Sequence, residues 1–304
     1  MSKKKNVNLS TNLLSMYQIL YGILYLFSLL PLGVLYGFSK ILYIFLYYII
    51  RYRKKVIVRN LKNSFPEKSK TEIQIIRKQF YKNFSDYLVE TLKCFSISSS
   101  ELEQRHTFSN LEVFVDCKRE GKDVLLMAGH IFNWEWFIGL VKHLQTKNTL
   151  AIYHKISNKF WNKQINAIRG KFGTIPLDMK DTARYMLAAP NDGEQTYLFV
   201  ADQSPKRSAV RTGIQFLNQE TPVFTGFDKM ASKKNMAVIF CKTVKIKQGY
   251  YHTSFERIYP DQEKFQPMEV VQKFFKKLEE TLKEDPANWL WSHKRWKFKK
   301  GIDY

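Results

Sequence analysis

The stretch Ala128–Phe137, with the sequence AGHIFNWEWF, decides the fold together with the apolar run 124–127 that precedes it. The run has the length of a buried strand rather than of a helix, and charged residues stand before it. Gly129 allows a tight turn, and Asn133 is a favourable N-cap for a helix that starts there. The pattern therefore predicts a strand, a turn and a helix, with His130 in the turn.

His130 and Glu135 are the candidate chemical groups of this stretch. On one continuous helix, five residues rotate the side-chain direction by about 140°, so these two side chains would point apart. A turn between them lets them meet, and Glu135 would then fix the tautomer of His130 and stabilise its imidazolium. The alternative is a partly buried structural histidine beside a surface glutamate, because short patterns of this kind often match by chance.

The chain offers no obvious protein nucleophile for such a base. It has no G-x-S-x-G elbow, and none of its three cysteines lies near His130. A base without a protein nucleophile implies that the substrate supplies one. Direct acyl transfer to an alcohol fits this condition.

The stretch resembles the H-x4-D/E motif of glycerolipid acyltransferases, and more closely the G-H-x-x-N-W-E form of the bacterial lipid A late acyltransferase family. The resemblance runs from about Ile41 to Lys297 and includes an N-L-x-x-x-F-P segment at residues 60–66. Residues 286–297, PANWLWSHKRWK, resemble the family's C-terminal motif, and their Trp and Arg side chains are expected at lipid headgroups. Asn218 is a departure, since the family commonly has Gly there.

The resemblance implies transfer of a fatty acyl chain from an acyl carrier protein thioester to a hydroxyl of a lipid A precursor. His130 would be the general base and Glu135 its partner, with backbone N–H groups near Asn133 as donors to the oxyanion. No cofactor or metal is expected besides the thioester co-substrate, because H-x4-E lacks the further ligands of a zinc site. A related enzyme acting on a glycerol- or amino-acid-based lipid stays open.

Further substrate-binding residues are expected beyond the strand-like run 197–201. Asp202 and Gln203 match the family's D-Q-x-P/D stretch, and α/β sheets place their sites at the carboxyl ends of strands. A simple turn is the alternative. Asn133, in the motif itself, completes this set.

Two arginines are expected to contact acidic groups. Arg169, in a predicted helix over residues 158–172, matches by context a family arginine associated with acidic groups of the substrate, and its planar fork suits phosphate. Arg207 belongs to the basic loop 206–211, which is expected to face phosphates or anionic lipid.

The remaining patterns predict an α/β fold, with a mixed, mostly parallel central sheet flanked by helices. A helix is expected over residues 71–94, starting near Ser69 or Thr71, and further strands over 149–153, 237–240 and 250–255. We expect residues 1–50 to form a membrane-associating segment and 51–304 the catalytic domain.

Residues 13–50 are almost uncharged, with Lys40 as the one cation and Pro31 near the middle. Each half is about as long as a bilayer-spanning or interfacial helix. Basic residues flank both ends, which favours a hairpin, a re-entrant element or an interfacial helix with both ends in the cytoplasm. A signal peptide and a buried helix pair are the alternatives.

The 304 residues carry a net charge of +22 and 15% aromatic side chains. This balance predicts a polyanionic partner: a phosphorylated glycolipid, an anionic membrane surface or nucleic acid. No nucleic-acid-binding signature accompanies the charge, and such a protein would not explain the apolar segment. We therefore expect a membrane enzyme with its catalytic domain at the cytoplasmic face of the bacterial inner membrane, and three free cysteines in a reducing compartment.

Overall fold

The computed structural model describes residues 2–207, 210, 212–259 and 266–298, with side chains from residue 14 onward. The N-terminal segment forms helices α1 (Ser2–Ser28) and α2 (Leu32–Ile44), and α2 continues into a π-helical turn, Phe45–Ile49. Pro31 stands at the N-cap of α2, where its missing N–H costs nothing. The predicted division of the apolar segment near Pro31 is confirmed.

The second helical layer consists of α3 (Lys54–Ser64), α4 (Lys70–Lys93) and α5 (Ser99–Arg105). Helix α4 begins with a capping box, in which the Ser69 hydroxyl accepts the N–H of Glu72 at 3.2 Å and the Glu72 carboxylate accepts the N–H of Ser69 at 2.7 Å. The predicted helix start at Ser69 is therefore confirmed. One face of α4 supplies large aromatic side chains to the core.

The α/β part alternates strands with helices and 3₁₀ segments. Its elements in chain order are β1 (His106–Ser109), α6 (Glu112–Arg119), β2 (Val124–Ala128), the 3₁₀ helix Trp134–His143, β3 (Asn148–Tyr153), α7 (Lys159–Arg169), β4 (Ile175–Asp178), α8 (Met179–Ala188), β5 (Gln195–Val200), β6 (Thr212–Phe216), β7 (Gln219–Val223), α9 (Gly226–Lys233), β8 (Ala237–Lys247), β9 (Tyr250–Tyr259), α10 (Glu269–Glu284) and the 3₁₀ turn Pro286–Asn288.

Seven strands form one sheet in the order β1-β9-β8-β2-β5-β3-β4, and β6 and β7 form a separate hairpin. Every pairing within the large sheet is parallel except the antiparallel β8–β9 pair. The predicted α/β fold with a mixed, mostly parallel sheet is confirmed. Strand β2 lies near the middle, between β8 and β5.

The sheet is covered on both faces, as the apolar run of β2 requires. Leu125 and Met127 pack into one buried cluster, whereas Val124, Leu126 and Ala128 pack into another. This division follows the alternation of side chains along a strand. The sequence of a strand that is buried on both faces is a continuous apolar run. The apolar run 124–127 therefore predicted β2 correctly.

One side of the N-terminal helices packs against the rest of the protein. The opposite side is apolar and exposed. Tyr17 of α1 stacks on Phe160 of α7 at 5.8 Å between ring centroids, and the Ser39 hydroxyl of α2 donates to Asp86 of α4 at 2.5 Å. Most exposed large apolar side chains of the described part lie between residues 14 and 50. Residues 32–49 form a helix long and apolar enough to cross a bilayer. This surface is compatible with association with a membrane.

The turn between β6 and β7 shows how the chain accommodates Asn218. Leu217 and Asn218 both have positive φ angles, of 49° and 59°. Asparagine is one of the few non-glycine residues that adopt this conformation readily. Its side-chain amide also donates to the carbonyl of Ser64 at 3.1 Å. The departure from glycine therefore leaves a regular two-residue hairpin turn.

We expect Asn218→Ala to lower the free energy of unfolding by about 2 kcal/mol, because alanine loses both the left-handed preference and the hydrogen bond to Ser64. Asn218→Gly loses only the hydrogen bond and should cost about 1 kcal/mol. Chemical denaturation of the detergent-solubilised protein measures both. Equal losses for the two variants would contradict this account of the turn.

Candidate functional site

The site forms where β2 and β5 end side by side. Ala128 pairs with Val200 at the last register position of these parallel strands, and the N–H of Ala201 donates to the carbonyl of Ala128 at 3.0 Å. The residues that follow each strand therefore leave the sheet at the same edge. This places His130 and Asp202 next to each other although they are 72 positions apart in the chain.

Asp202 holds His130 through two hydrogen bonds. Its Oδ1 lies 2.5 Å from Nδ1 of the imidazole, and its Oδ2 accepts the backbone N–H of His130 at 3.0 Å. The indole N–H of Trp289 also donates to Oδ2, at 2.5 Å. An ionised carboxylate only accepts hydrogen bonds, so it places the proton of a neutral imidazole on Nδ1 and leaves the lone pair on Nε2.

The carboxyl group of Asp202 is buried, with 1% of the residue exposed. Burial by itself would raise its pKa, but the interaction with His130 and the hydrogen bonds from His130 and Trp289 outweigh it and lower the pKa to about 2. Asp202 is therefore ionised at neutral pH. The imidazole side chain of His130 keeps 16% of its surface exposed.

Among the described residues, no hydrogen bond or ion pair joins Glu135 to His130; Asp202 orients the imidazole instead, and a catalytic role of Glu135 stays a prediction. The Glu135 carboxylate accepts from Nη2 and Nε of Arg169 at 2.9 and 3.3 Å, and from the indole of Trp134 at 3.2 Å. The Trp134 ring packs edge-on against the imidazole of His130, at 4.9 Å between centroids. Trp134 thus contacts both side chains, and the carboxylate is directed towards α7.

Arg169 ends α7 and brings its guanidinium to the same region. Burial acts to lower its pKa, but the charge and the hydrogen bonds of Glu135 raise it above the usual value. One quarter of the Arg169 side chain stays exposed. Its Nη1 takes no part in the hydrogen bonds found among the described residues. The predicted contact of Arg169 with an acidic group of the substrate is not tested by this geometry.

Asn133 is buried and its side chain is hydrogen-bonded within the protein, and its predicted contact with substrate stays a prediction. It has no exposed surface; its Oδ1 accepts the N–H of Glu135 at 3.0 Å and its Nδ2 donates to Glu90 at 3.1 Å. The predicted N-cap role is confirmed, although the segment that follows is 3₁₀ rather than α. The oxyanion donors were expected among the backbone N–H groups near Asn133; two of these, the N–H groups of Glu135 and Trp136, are bonded to Asn133 itself.

Glu90 anchors this turn from inside the core. Its fully buried carboxylate accepts from the hydroxyls of Tyr36 and Tyr251 at 2.9 and 2.8 Å and from Asn133, and burial raises its pKa. The backbone carbonyl of Glu90 also accepts the indole N–H of Trp136 at 3.3 Å. The prediction of a helix over residues 71–94 assigned no role to Glu90. The signal was a carboxylate on the buried face of that helix.

The C-terminal motif lies in the core, which corrects the expectation that it faces lipid headgroups. Trp289, Trp291, Trp296 and Arg295 are each 2% exposed or less. The side-chain amide of Asn60 donates to the backbone carbonyl of Trp291 at 2.9 Å. The N-L-x-x-x-F-P segment and the C-terminal motif are therefore in direct contact. Trp289 of the same motif donates its indole N–H to Asp202.

The other two predicted substrate-binding residues lie beyond the end of β5. Gln203 follows Asp202 and is partly exposed, and Arg207 is exposed. Ser208, Ala209 and Arg211 of the basic loop lie outside the described residues. Contact of Gln203 and Arg207 with substrate stays a prediction.

A family model for the bacterial lipid A biosynthesis acyltransferases matches residues 3–298 of the chain. A search of curated proteins found no match. The matched region includes the segments at 60–66, 128–137 and 286–297. The first is joined to the third by the hydrogen bond from Asn60 to Trp291, and the third reaches Asp202 through Trp289. Since the match spans nearly the whole sequence, this protein belongs to the bacterial lipid A biosynthesis acyltransferase family.

Proposed function

We propose that the protein transfers a fatty acyl chain from an acyl carrier protein thioester to a hydroxyl of a lipid A precursor, with His130 as the general base. The observation that carries this proposal is the His130–Asp202 pair at the end of β2 and β5. A base oriented in this way, in a member of this family, suits the activation of an alcohol.

The reaction needs one proton carrier and no covalent enzyme intermediate. Nε2 of neutral His130 takes the proton of the acceptor hydroxyl while its oxygen attacks the thioester carbonyl carbon. The tetrahedral intermediate then breaks its carbon–sulfur bond, and the imidazolium returns the proton to the leaving thiolate. Asp202 stabilises the imidazolium and keeps Nε2 directed at the substrate throughout.

Glu135 and Arg169 serve substrate binding in this proposal. Two N–H groups of Arg169 are fixed on Glu135, and the remaining Nη1 is left for an acidic group such as a phosphate of the acceptor. The pair thus sets the position of the cation beside the reacting groups. Gln203 and Arg207, beyond β5, extend this substrate surface.

The setting of the site fits a lipid acceptor. The exposed apolar surface of α1 and α2 would lie in the cytoplasmic leaflet of the inner membrane, where the basic chain meets anionic lipid. The acceptor's phosphates would be reached from that leaflet, and the acidic carrier protein from the cytoplasm.

We expect His130→Ala to abolish detectable transfer, since general base catalysis contributes roughly 10²–10⁴-fold. Purified membranes are incubated with a panel of acyl carrier protein thioesters and a tetra-acylated lipid A precursor, and mass spectra are compared for one added acyl chain. The matched control is His143→Ala, an exposed histidine at the end of the same 3₁₀ segment. Activity of His130→Ala equal to that of the control would contradict the mechanism.

We expect Asp202→Asn to lower kcat by roughly 10²–10⁴-fold with little change in KM. Oδ2 accepts two N–H groups, so the amide must place its oxygen there and its NH₂ at Nδ1 of His130. That arrangement moves the imidazole proton to Nε2 and blocks the base.

Glu135→Gln leaves the tautomer of His130 intact and weakens the hold on Arg169, so its main effect should be a higher KM for the acceptor. Steady-state kinetics of both variants separate the two roles. A larger loss of kcat in Glu135→Gln than in Asp202→Asn would assign the orientation of His130 to Glu135 after all.

His293 is the second histidine at this edge, and it is a poor base. Its Nε2 accepts the backbone N–H of Ser204 at 3.1 Å, and burial lowers its pKa to about 4. A histidine with a lowered folded-state pKa stabilises the fold fully above about pH 6.5, and the contribution is lost as the pH falls towards 4.

His293→Gln replaces the acceptor nitrogen with an amide oxygen that does not titrate. Between pH 6.5 and pH 4 the free energy of unfolding should fall in both proteins. We expect this fall to be about 3 kcal/mol smaller in the variant than in the wild type. Denaturation curves at several pH values measure this difference. Parallel curves for the two proteins would show that His293 is not held neutral.

A further inference from the structure

We infer that a second anion site, separate from the His130 site, binds the phosphate of an anionic phospholipid at the cytoplasmic end of the N-terminal helices. The site is a cavity of about 190 Å³ between the π-helical turn, the start of α3 and α4. Its wall is formed by three tyrosines and three basic side chains: Tyr47, Tyr48, Tyr81, Arg51, Lys54 and Arg77.

The charge of the cavity is uncompensated by the residues around it. Arg51, Lys54 and Arg77 contribute three positive charges, and no acidic residue lines the wall. Among the ion pairs of the described residues, none joins these three cations to a carboxylate. Like charges that converge without an acidic partner repel one another, and a bound anion removes that cost.

Arg77 is half-buried and held in place, whereas the side chains of Arg51 and Lys54 are exposed. The guanidinium of Arg77 donates to the hydroxyl of Tyr47 at 2.8 Å and lies 5.1 Å from the centre of its ring. The hydroxyl of Tyr81 donates to the backbone carbonyl of Tyr52 at 2.6 Å. These contacts fix one wall of the cavity before any ligand binds.

The backbone also brings Arg51 to the cavity in an unusual conformation. Arg51 and Arg53 have φ angles of 56° and 50°, in the left-handed region that non-glycine residues adopt rarely. The guanidinium of Arg53 is used elsewhere, as a donor to the carbonyl of Ser292 at 2.9 Å. Such strained positions concentrate at ligand sites, and here they turn the chain so that Arg51 meets Lys54 and Arg77.

The apolar surface beside the cavity favours binding of a lipid phosphate over binding of inorganic phosphate. Tyr48, in its wall, is 54% exposed, and Ile49 and Ile50 beside it are 65% and 53% exposed. This apolar surface continues along the helix of residues 32–49. A phospholipid can lay its acyl chains on that surface while its phosphate enters the cavity, whereas inorganic phosphate gains nothing from it.

The cavity is distinct from the acyl-transfer site. Ten residues of α4 separate Arg77 from Tyr87, which is about 15 Å along a helix. Tyr87 lies 4.2 Å from the ring centroid of Trp134, which packs on His130. The inference therefore does not depend on the chemistry proposed for His130.

The test compares lipid binding by matched charge variants of the full chain in detergent. Arg51→Gln/Lys54→Gln removes two cations of the cavity, and Lys55→Gln/Lys62→Gln removes two exposed lysines of α3 outside it. Dissociation constants for dioleoyl-phosphatidylglycerol and dioleoyl-phosphatidylcholine are measured by native mass spectrometry. We expect the wild type to prefer the anionic lipid.

Each basic residue near an anionic headgroup contributes roughly fivefold in affinity, so the cavity variant should bind phosphatidylglycerol roughly twentyfold more weakly. The control variant should stay within about twofold of the wild type. Lys54→Gln alone, at an exposed position, is expected to weaken binding roughly fivefold if the double variant does not fold.

Equal losses in the cavity and control variants would overturn the site, because they would show a diffuse effect of surface charge. Equal binding of phosphatidylcholine would overturn it as well. Inorganic phosphate is the third probe: displacement of phosphatidylglycerol by millimolar phosphate would assign the cavity to free phosphate instead of lipid. Retention of acyl transfer by the cavity variant would separate this result from the proposal for His130.

Discussion

The contact between Asp202 and His130 is the constraint on which the site depends, and it is a property of strand register. Because β2 and β5 are parallel and end together, the first residues beyond each strand share one edge of the sheet. A slip of either strand by one residue would send its buried side chains to the other face. The apolar clusters on both faces of β2 therefore help to fix the position of His130, together with its own hydrogen bonds.

A buried polar network holds the turn that carries His130. The carboxylate of Glu90 binds two tyrosine hydroxyls and Asn133, and Asn133 in turn caps the 3₁₀ segment that carries Glu135. An unpaired carboxylate in the core would be costly, so its partners are required for the turn to form. Buried groups of the protein interior therefore support the turn that carries His130.

Sequence patterns predicted elements well and long-range contacts poorly. The strand at 124–127, the break at Pro31, the Asn133 cap and the α/β class each follow from local rules of periodicity, capping and backbone freedom. The partner of His130 did not follow, because the short spacing to Glu135 favoured a local pair. To predict Asp202 as the partner of His130, one must know that β2 and β5 are neighbours in the sheet. The positions of the two strands in the chain do not show this.

The burial of the C-terminal tryptophans illustrates the same limit. Aromatic residues are common both at membrane interfaces and in cores, so the tryptophans of this motif do not by themselves separate the two. In the structure these tryptophans belong to the core, because their indole N–H groups donate to buried acceptors. Trp289 donates to Asp202, and Trp296 donates to the hydroxyl of Thr221.

Helix α4 connects the basic cavity with the turn that carries His130. Its first half supplies Arg77 to the basic cavity, and its second half supplies Tyr87 and Glu90 to the turn around His130. A rigid helix keeps a fixed distance between these two places, about 1.5 Å for each residue. A lipid phosphate held at the first half would therefore set the depth at which the imidazole stands relative to the bilayer surface. In the proposed reaction, the hydroxyl of a membrane-embedded acceptor would lie at a fixed depth as well, so the helix that supports the turn of His130 would also determine which part of the acceptor reaches the imidazole.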